Sequence, residues 1–138
     1  MWFNKIFILK GDIVMRKAEI SECELVAMKC VWDAGEPVTC AYVIEKLKTD
    51  YGREYAETTV YTFLKNLKEK GFIESYKNGI TFFKPKRELE EFRGSYLKKM
   101  VDFWFDGSVS DFLSALLAVQ KVDEQEIKAI KKAIKNVN

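Results

Sequence analysis

The stretch that decides the fold is AETTVYTFLKNLKEKGFIESYKNGITFFKP, residues 56–85. Its first half has the period of an amphipathic helix from about Ala56 to Lys70. Val60, Phe63, Leu64 and Leu67 recur at i, i+3, i+4 and i+7, and Gly71 follows as a left-handed cap. At Phe72 the period changes to that of extended chain. Phe72, Ile73, Ser75 and Tyr76 lead into Asn78-Gly79, and Thr81, Phe82 and Phe83 lead away from it before Pro85. This predicts a β-hairpin, because Asn and Gly both tolerate the positive φ of a tight turn.

Toward the N-terminus the pattern predicts two further helices. Ser21 and Glu24 form an S-x-x-E capping box, in which hydroxyl and carboxylate each satisfy an orphan backbone donor. Leu25, Met28, Val31 and Trp32 follow at helical spacing until Ala34-Gly35-Glu36-Pro37 stops the helix. Thr39 can cap a second helix to about Asp50, with Ala41, Val43, Ile44 and Leu47 inward and Glu45, Lys46 and Lys48 outward; Tyr51-Gly52 ends it. Helix, helix, helix, hairpin is the order of a winged helix-turn-helix. Past Arg87 the period is helical again. Leu89, Phe92, Tyr96, Met100 and Phe103-Trp104 lie along one long helix that Gly107 interrupts. A short helix follows from Ser110 to Val119, and a last one begins near Asp123. The fold class expected is mostly α with a small β-hairpin wing: a leader at 1–14, a winged helix over 15–86 and a helical region over 87–138.

Composition narrows the chemistry. A chain of 138 residues with 48% apolar and 32% charged residues has enough apolar material for a core and is not a disordered type. Its net charge of +2 excludes a protein held to nucleic acid by bulk charge alone. There is no His, so the commonest general base and metal ligand are both missing. Cys23, Cys30 and Cys40 form no C-x-x-C and read as reduced thiols of a cytoplasmic protein, with no metal site and no cofactor expected. No run approaches the ~18 apolar residues of a membrane span. Residues Met1 to Val14 carry Ile6, Phe7, Ile8 and Leu9 but no cleavage site of a secretion signal. They read either as a leader before a true start at Met15 or as a short extra strand or arm.

The third helix carries the functional signal. Its outward face offers Thr58, Thr59, Tyr61, Thr62 and Lys65 against a wholly apolar inward face. Threonine methyls suit thymine methyls, hydroxyls suit base edges or phosphates, and Lys65 suits a guanine edge or a phosphate. Thr58 and Thr62 are the candidates for base edges, and Tyr61 for phosphate or sugar; Thr39, Asn66, Lys77 and Lys84 complete the expected DNA-facing set. Residues 53–86 hold seven basic side chains against four acidic, whereas 87–138 are neutral. Lys77 at the wing tip, with Lys84 and Lys86 at its base, can straddle a phosphate ridge. The bland alternative is a solvated helix face, and the rival function is a winged helix used as a protein adaptor. An adaptor would want an apolar outer face. An enzyme is disfavoured by the absence of His, of a Gly-rich phosphate loop and of paired acids in an apolar setting.

Phe92, Tyr96, Met100, Trp104, Phe112, Leu113, Leu116, Leu117, Ile127, Ile130 and Ile134 are many anchors for helices with no core of their own. Two copies could bury them together as a homodimer, and packing onto the wing domain within one chain is the alternative. Two reading heads would then read a palindrome where one binds weakly.

The segments Ile20-Ser21-Glu22-Cys23-Glu24, Met28, Trp32, Val38-Thr39, Thr58-Thr59-Val60, Thr62, Leu64, Leu67 and Lys70-Gly71-Phe72 closely resemble the penicillinase repressor family, over about Glu19 to Asn136. The resemblance implies a homodimeric bacterial repressor whose winged helix reads a palindromic operator in double-stranded DNA and whose C-terminal helices dimerise. It also implies two modes of release, a membrane sensor protease that leads to cutting in the C-terminal helices, or metal binding by a cysteine-rich tail. This chain departs from both. The segment aligned with the cut reads Ser114-Ala115-Leu116-Leu117, which leaves Ala115 and Leu116 as the candidate cleavage region, and no Cys follows Cys40. In the reading head Ala56 replaces a capping Ser, which costs the helix start ~1 kcal/mol unless compensated. Asn66 replaces a usual Arg, which shifts a phosphate contact.

Overall fold

The computed structural model describes residues 20–137; the leader 1–14 and the candidate start at Met15 lie outside them. The described chain runs α1 (Glu22–Ala34), α2 (Cys40–Tyr51), α3 (Glu57–Glu69), β1 (Ile73–Asn78), β2 (Ile80–Pro85), α4 (Leu89–Phe105), α5 (Val109–Val119) and α6 (Glu124–Lys135). It is mostly helical with one antiparallel hairpin, the expected fold class.

Helices α1, α2, α5 and α6 begin at a side-chain cap. Both halves of the Ser21–Glu24 box form, and the Thr39 hydroxyl accepts from the Tyr42 N–H at 3.1 Å. The Asp123 carboxylate accepts from the Glu126 N–H at 2.8 Å. The short helix starts slightly earlier than expected, capped by Ser108, whose hydroxyl accepts from Asp111 N–H. Helix α3 has no side-chain cap, since its N-cap is Ala56. In the hairpin Ser75 pairs with Phe83 and Asn78 with Ile80. Of the two turn residues only Gly79 takes left-handed backbone, at φ +76°; Asn78 does not. One residue without a Cβ is therefore sufficient for this turn.

The described residues fall into two compact units that divide between Tyr96 and Leu97. The first unit is the winged helix. Helices α1, α2 and α3 pack on one another and the hairpin closes the open side, with Val38 bridging Phe83 at the edge of β2. Phe72, Met28, Leu47, Leu64, Leu67, Ile73, Val31, Val43 and Val60 are fully buried. Each such side chain contributes roughly 1.5–3 kcal/mol through the apolar surface it removes from water. Ala41, expected inward, is exposed. The inward face of α2 centres on Val43 and Leu47 and passes through Ile44, and Ala41 lies round the helix from that stripe.

The first turns of α4 belong to this unit. Phe92 is buried, its ring centroid 5.5 Å from both Trp32 and Phe72, and Tyr96 packs behind it at 5.8 Å. The Arg87 guanidinium covers the Phe72 and Phe92 rings at 4.9 and 5.3 Å, and the Trp32 ring N–H donates to the Arg87 carbonyl at 2.8 Å. In the second unit, α5 and α6 bury no residue at all. Phe103 and Trp104 meet edge to face at 4.9 Å and Phe105 meets Phe112 at 5.6 Å, yet Trp104 stays 57% exposed.

Candidate nucleic-acid interface

Helix α3 offers solvent a polar row on one side and the core an apolar row on the other, because Val60, Leu64 and Leu67 are buried at helical spacing. Thr58, Tyr61, Thr62 and Lys65 are exposed and Thr59 is half-buried. The Thr62 hydroxyl donates to the Thr58 carbonyl at 2.9 Å, so its proton is committed while its methyl and lone pairs remain available. The Tyr61 ring is edge-on to Phe83 with centroids 6.5 Å apart, which steadies an otherwise exposed side chain against the wing.

The remaining expected contacts are distributed differently. Thr39 is half-buried and already serves as the cap of α2. Lys77 is exposed at the wing tip. Lys84 lies 3.3 Å from Glu74 and 5.9 Å above the Tyr76 ring, so its charge is partly answered within the hairpin. Asn66 is half-buried, and its side-chain amide donates to Glu24 at 3.2 Å.

That last contact belongs to a group for which the sequence carries no local sign. Glu24 is 5% exposed and closes the capping box of α1. It also accepts from the Lys70 ammonium at 2.5 Å, from the Asn66 amide and from the Ser21 N–H. Burial alone would push the Glu24 carboxyl up; the Lys70, Ser21 and Asn66 hydrogen bonds outweigh it and hold the group below its ordinary value. One carboxylate thus fastens the last turn of α3 to the first turn of α1. The other end of α3 is held by a second group. Arg53, in the turn before α3, pairs with Glu22 at 3.2 Å, and Tyr55 stands edge-on to Phe63 at 5.1 Å with its hydroxyl 3.6 Å from the Cys23 thiol. These contacts anchor the chain entering α3, where Ala56 supplies no cap. The thiols are free; Cys30 is buried, and burial pushes its pKa up to about 11.

Of the side chains expected to dimerise, Phe92 and Tyr96 lie in the winged-helix unit described above. Trp104, Leu116, Leu117, Ile127 and Ile134 are exposed. Met100, Phe112, Leu113 and Ile130 are half-buried, and Ala115 is exposed on α5. Among the described residues no group of three His, Cys, Asp or Glu could hold a metal ion, and no helix is long and apolar enough to cross a membrane.

A three-helix head, a hairpin wing and a hydroxyl-rich helix face define a winged-helix DNA-binding regulator. A family model described as penicillinase repressor matches residues 20–136. The chain belongs to the penicillinase repressor family; it is a DNA-binding transcriptional repressor and not an enzyme. A solution structure of the Bacillus licheniformis BlaI monomeric form in complex with the blaP half-operator is similar at 26% identity, with a TM-score of 0.43, over 52% of this chain and 85% of that one. No curated protein matches the chain.

Proposed function

We propose that the repressor acts in the cytoplasm as a homodimer on a palindromic operator. Each α3 occupies one major-groove half-site, and the bound dimer excludes polymerase from an overlapping promoter. The observation that carries this is the exposed row Thr58, Tyr61, Thr62 and Lys65 on a helix pinned at both ends. A helix so held presents its hydroxyls, methyls and ammonium in one arrangement, which base-edge recognition requires. Thr58 and Thr62 are assigned to base edges, Tyr61 to phosphate or sugar, and Lys65 and Lys77 to phosphate. Asn66 supports the reading helix from behind through Glu24.

Dimerisation through α5 and α6 is supported by Leu116, Leu117 and Ile134, which are 41%, 40% and 58% exposed. Release by a membrane sensor protease would fall near Ala115 and Leu116, both exposed in the single chain, Leu116 becoming accessible as the copies part. A cut there would detach α6 and part of the α5 apolar face. The adaptor reading is less well supported, because the outer face of α3 is hydroxyl-rich and cationic rather than apolar.

Lys65→Ala tests the phosphate assignment. On a duplex selected by the wild type from a random pool, the variant is expected to bind more weakly and to lose roughly one unit from the slope of log affinity against log salt. An unchanged slope would mean that Lys65 neutralises no phosphate.

A further inference from the structure

The wing ends in a side chain that the core does not use. Ile80 is 58% exposed, more than any other large apolar side chain described in the winged-helix unit. A single exposed alkyl group is ordinary; its position is what sets this one apart. It stands directly after Gly79, opposite Asn78, where turns normally carry small or polar residues. A β-branched alkyl group there contributes nothing to the turn and leaves its surface in water.

The hairpin that holds it is stiff. On the same face Tyr76 and Phe82 stack with centroids 5.6 Å apart and planes 15° from parallel. The Lys84 ammonium covers Tyr76 and pairs with Glu74. The base of the hairpin is tied to the reading head twice, by the Val38–Phe83 bridge and by the Lys68 ammonium of α3, which donates to the Ser75 hydroxyl at 2.8 Å. Ile80 lies three residues beyond Phe83, about 10 Å of strand. The root of the wing is therefore fastened to the reading head, and the tip projects beyond it. Neighbouring major and minor grooves are separated by half of one helical turn, about 17 Å along the axis, a distance that a wing rooted beside α3 is suited to span.

We propose that Ile80 is an apolar wedge that enters the minor groove beside the site read by α3 and partly unstacks a base step there. Minor-groove proteins use alkyl side chains in this way, and the loss of stacking is smallest at flexible pyrimidine–purine steps. Two neighbours fit the same groove. The Asn78 amide can donate to the adenine N3 and thymine O2 acceptors that line it, and Lys77 can meet the flanking phosphates. The wing thereby adds a preference for A·T-rich flanks, in particular TA steps, to whatever α3 specifies. This inference rests on the DNA-binding reading of α3.

The test uses the full chain and alternating TA and alternating GC duplexes, the TA duplex carrying 2-aminopurine as an unstacking reporter. Wild type is expected to bind the TA duplex more tightly and to brighten the reporter. Ile80→Ala should lose the brightening and roughly tenfold in TA affinity, the size of one buried alkyl side chain. Its salt slope and far-ultraviolet circular dichroism should be unchanged, whereas Lys77→Ala should lower the slope. Wild-type binding without brightening, or brightening that survives in Ile80→Ala, would overturn the wedge and leave the α3 reading intact. Binding to neither duplex nor to the selected one would remove both.

Discussion

A Leu116→Asp chain is expected to sediment as a monomer at concentrations where the wild type is a dimer, and to lose about two to four orders of magnitude in operator affinity. The size of the loss follows from linkage. Once one reading head is bound, the twin held to it through the dimer interface sees the second half-site at a high local concentration, and that advantage vanishes when the copies separate. The cause is local to α5: a carboxylate placed on an apolar face would be stranded without a partner if a second copy covered it. The winged-helix core contains no side chain from α5, so its melting transition should remain. Sedimentation and a titration of the selected duplex measure the two effects separately. A wild type that stays monomeric across the accessible concentration range would defeat the prediction.

The second large effect is expected at Glu24. Replacing it with Gln keeps the shape but removes the charge that Lys70 answers, and should cost about 2–3 kcal/mol at neutral pH. The figure sits at the low end for a buried pair because the Lys70 side chain is 37% exposed. Acidification gives a signature that a simple packing defect would lack. The Glu24 carboxyl is held below its ordinary value of 4.5 in the folded chain. As pH falls, the unfolded chain takes up this proton first, so the contribution is fully present above that ordinary value and is lost as pH falls through the lower, folded one. Denaturant titrations of wild type and Glu24→Gln should therefore differ most near neutrality and converge in acid. Parallel curves at every pH would show that the ion pair contributes nothing. Because the same carboxylate pins the end of α3, the variant should also bind its duplex more weakly at neutral pH.

These two residues mark how far the fold and the interface could be read from the chain alone. The capping box, the Asn78-Gly79 turn and the stripe of Val60, Leu64 and Leu67 are local signals, so the helices and hairpin fall close to where they were expected. Glu24 was legible as half of a capping box but not as the partner of Asn66 and Lys70, which lie more than forty residues away. No periodicity links positions so far apart. Phe92 and Tyr96 have the same origin: an amphipathic stripe says which face of α4 is apolar, not what will cover it. Their rings meet the winged-helix core. Asn66 illustrates the interface problem, because a polar residue on α3 can serve DNA or the protein's own scaffold, and its hydrogen bond to Glu24 could not be read from the chain.

Among the described residues, the unlike settings of Trp32 and Trp104 make two optical reporters, which Trp2→Phe isolates from the third tryptophan of the chain. Trp32 is half-buried, hydrogen-bonded through its ring N–H and tilted against Phe92, so its emission follows the integrity of the reading head. Trp104 lies open to solvent, within reach of a collisional quencher until something shields it. In a Trp2→Phe chain, quenching measured across a dilution series would thus follow assembly in real time without a dye.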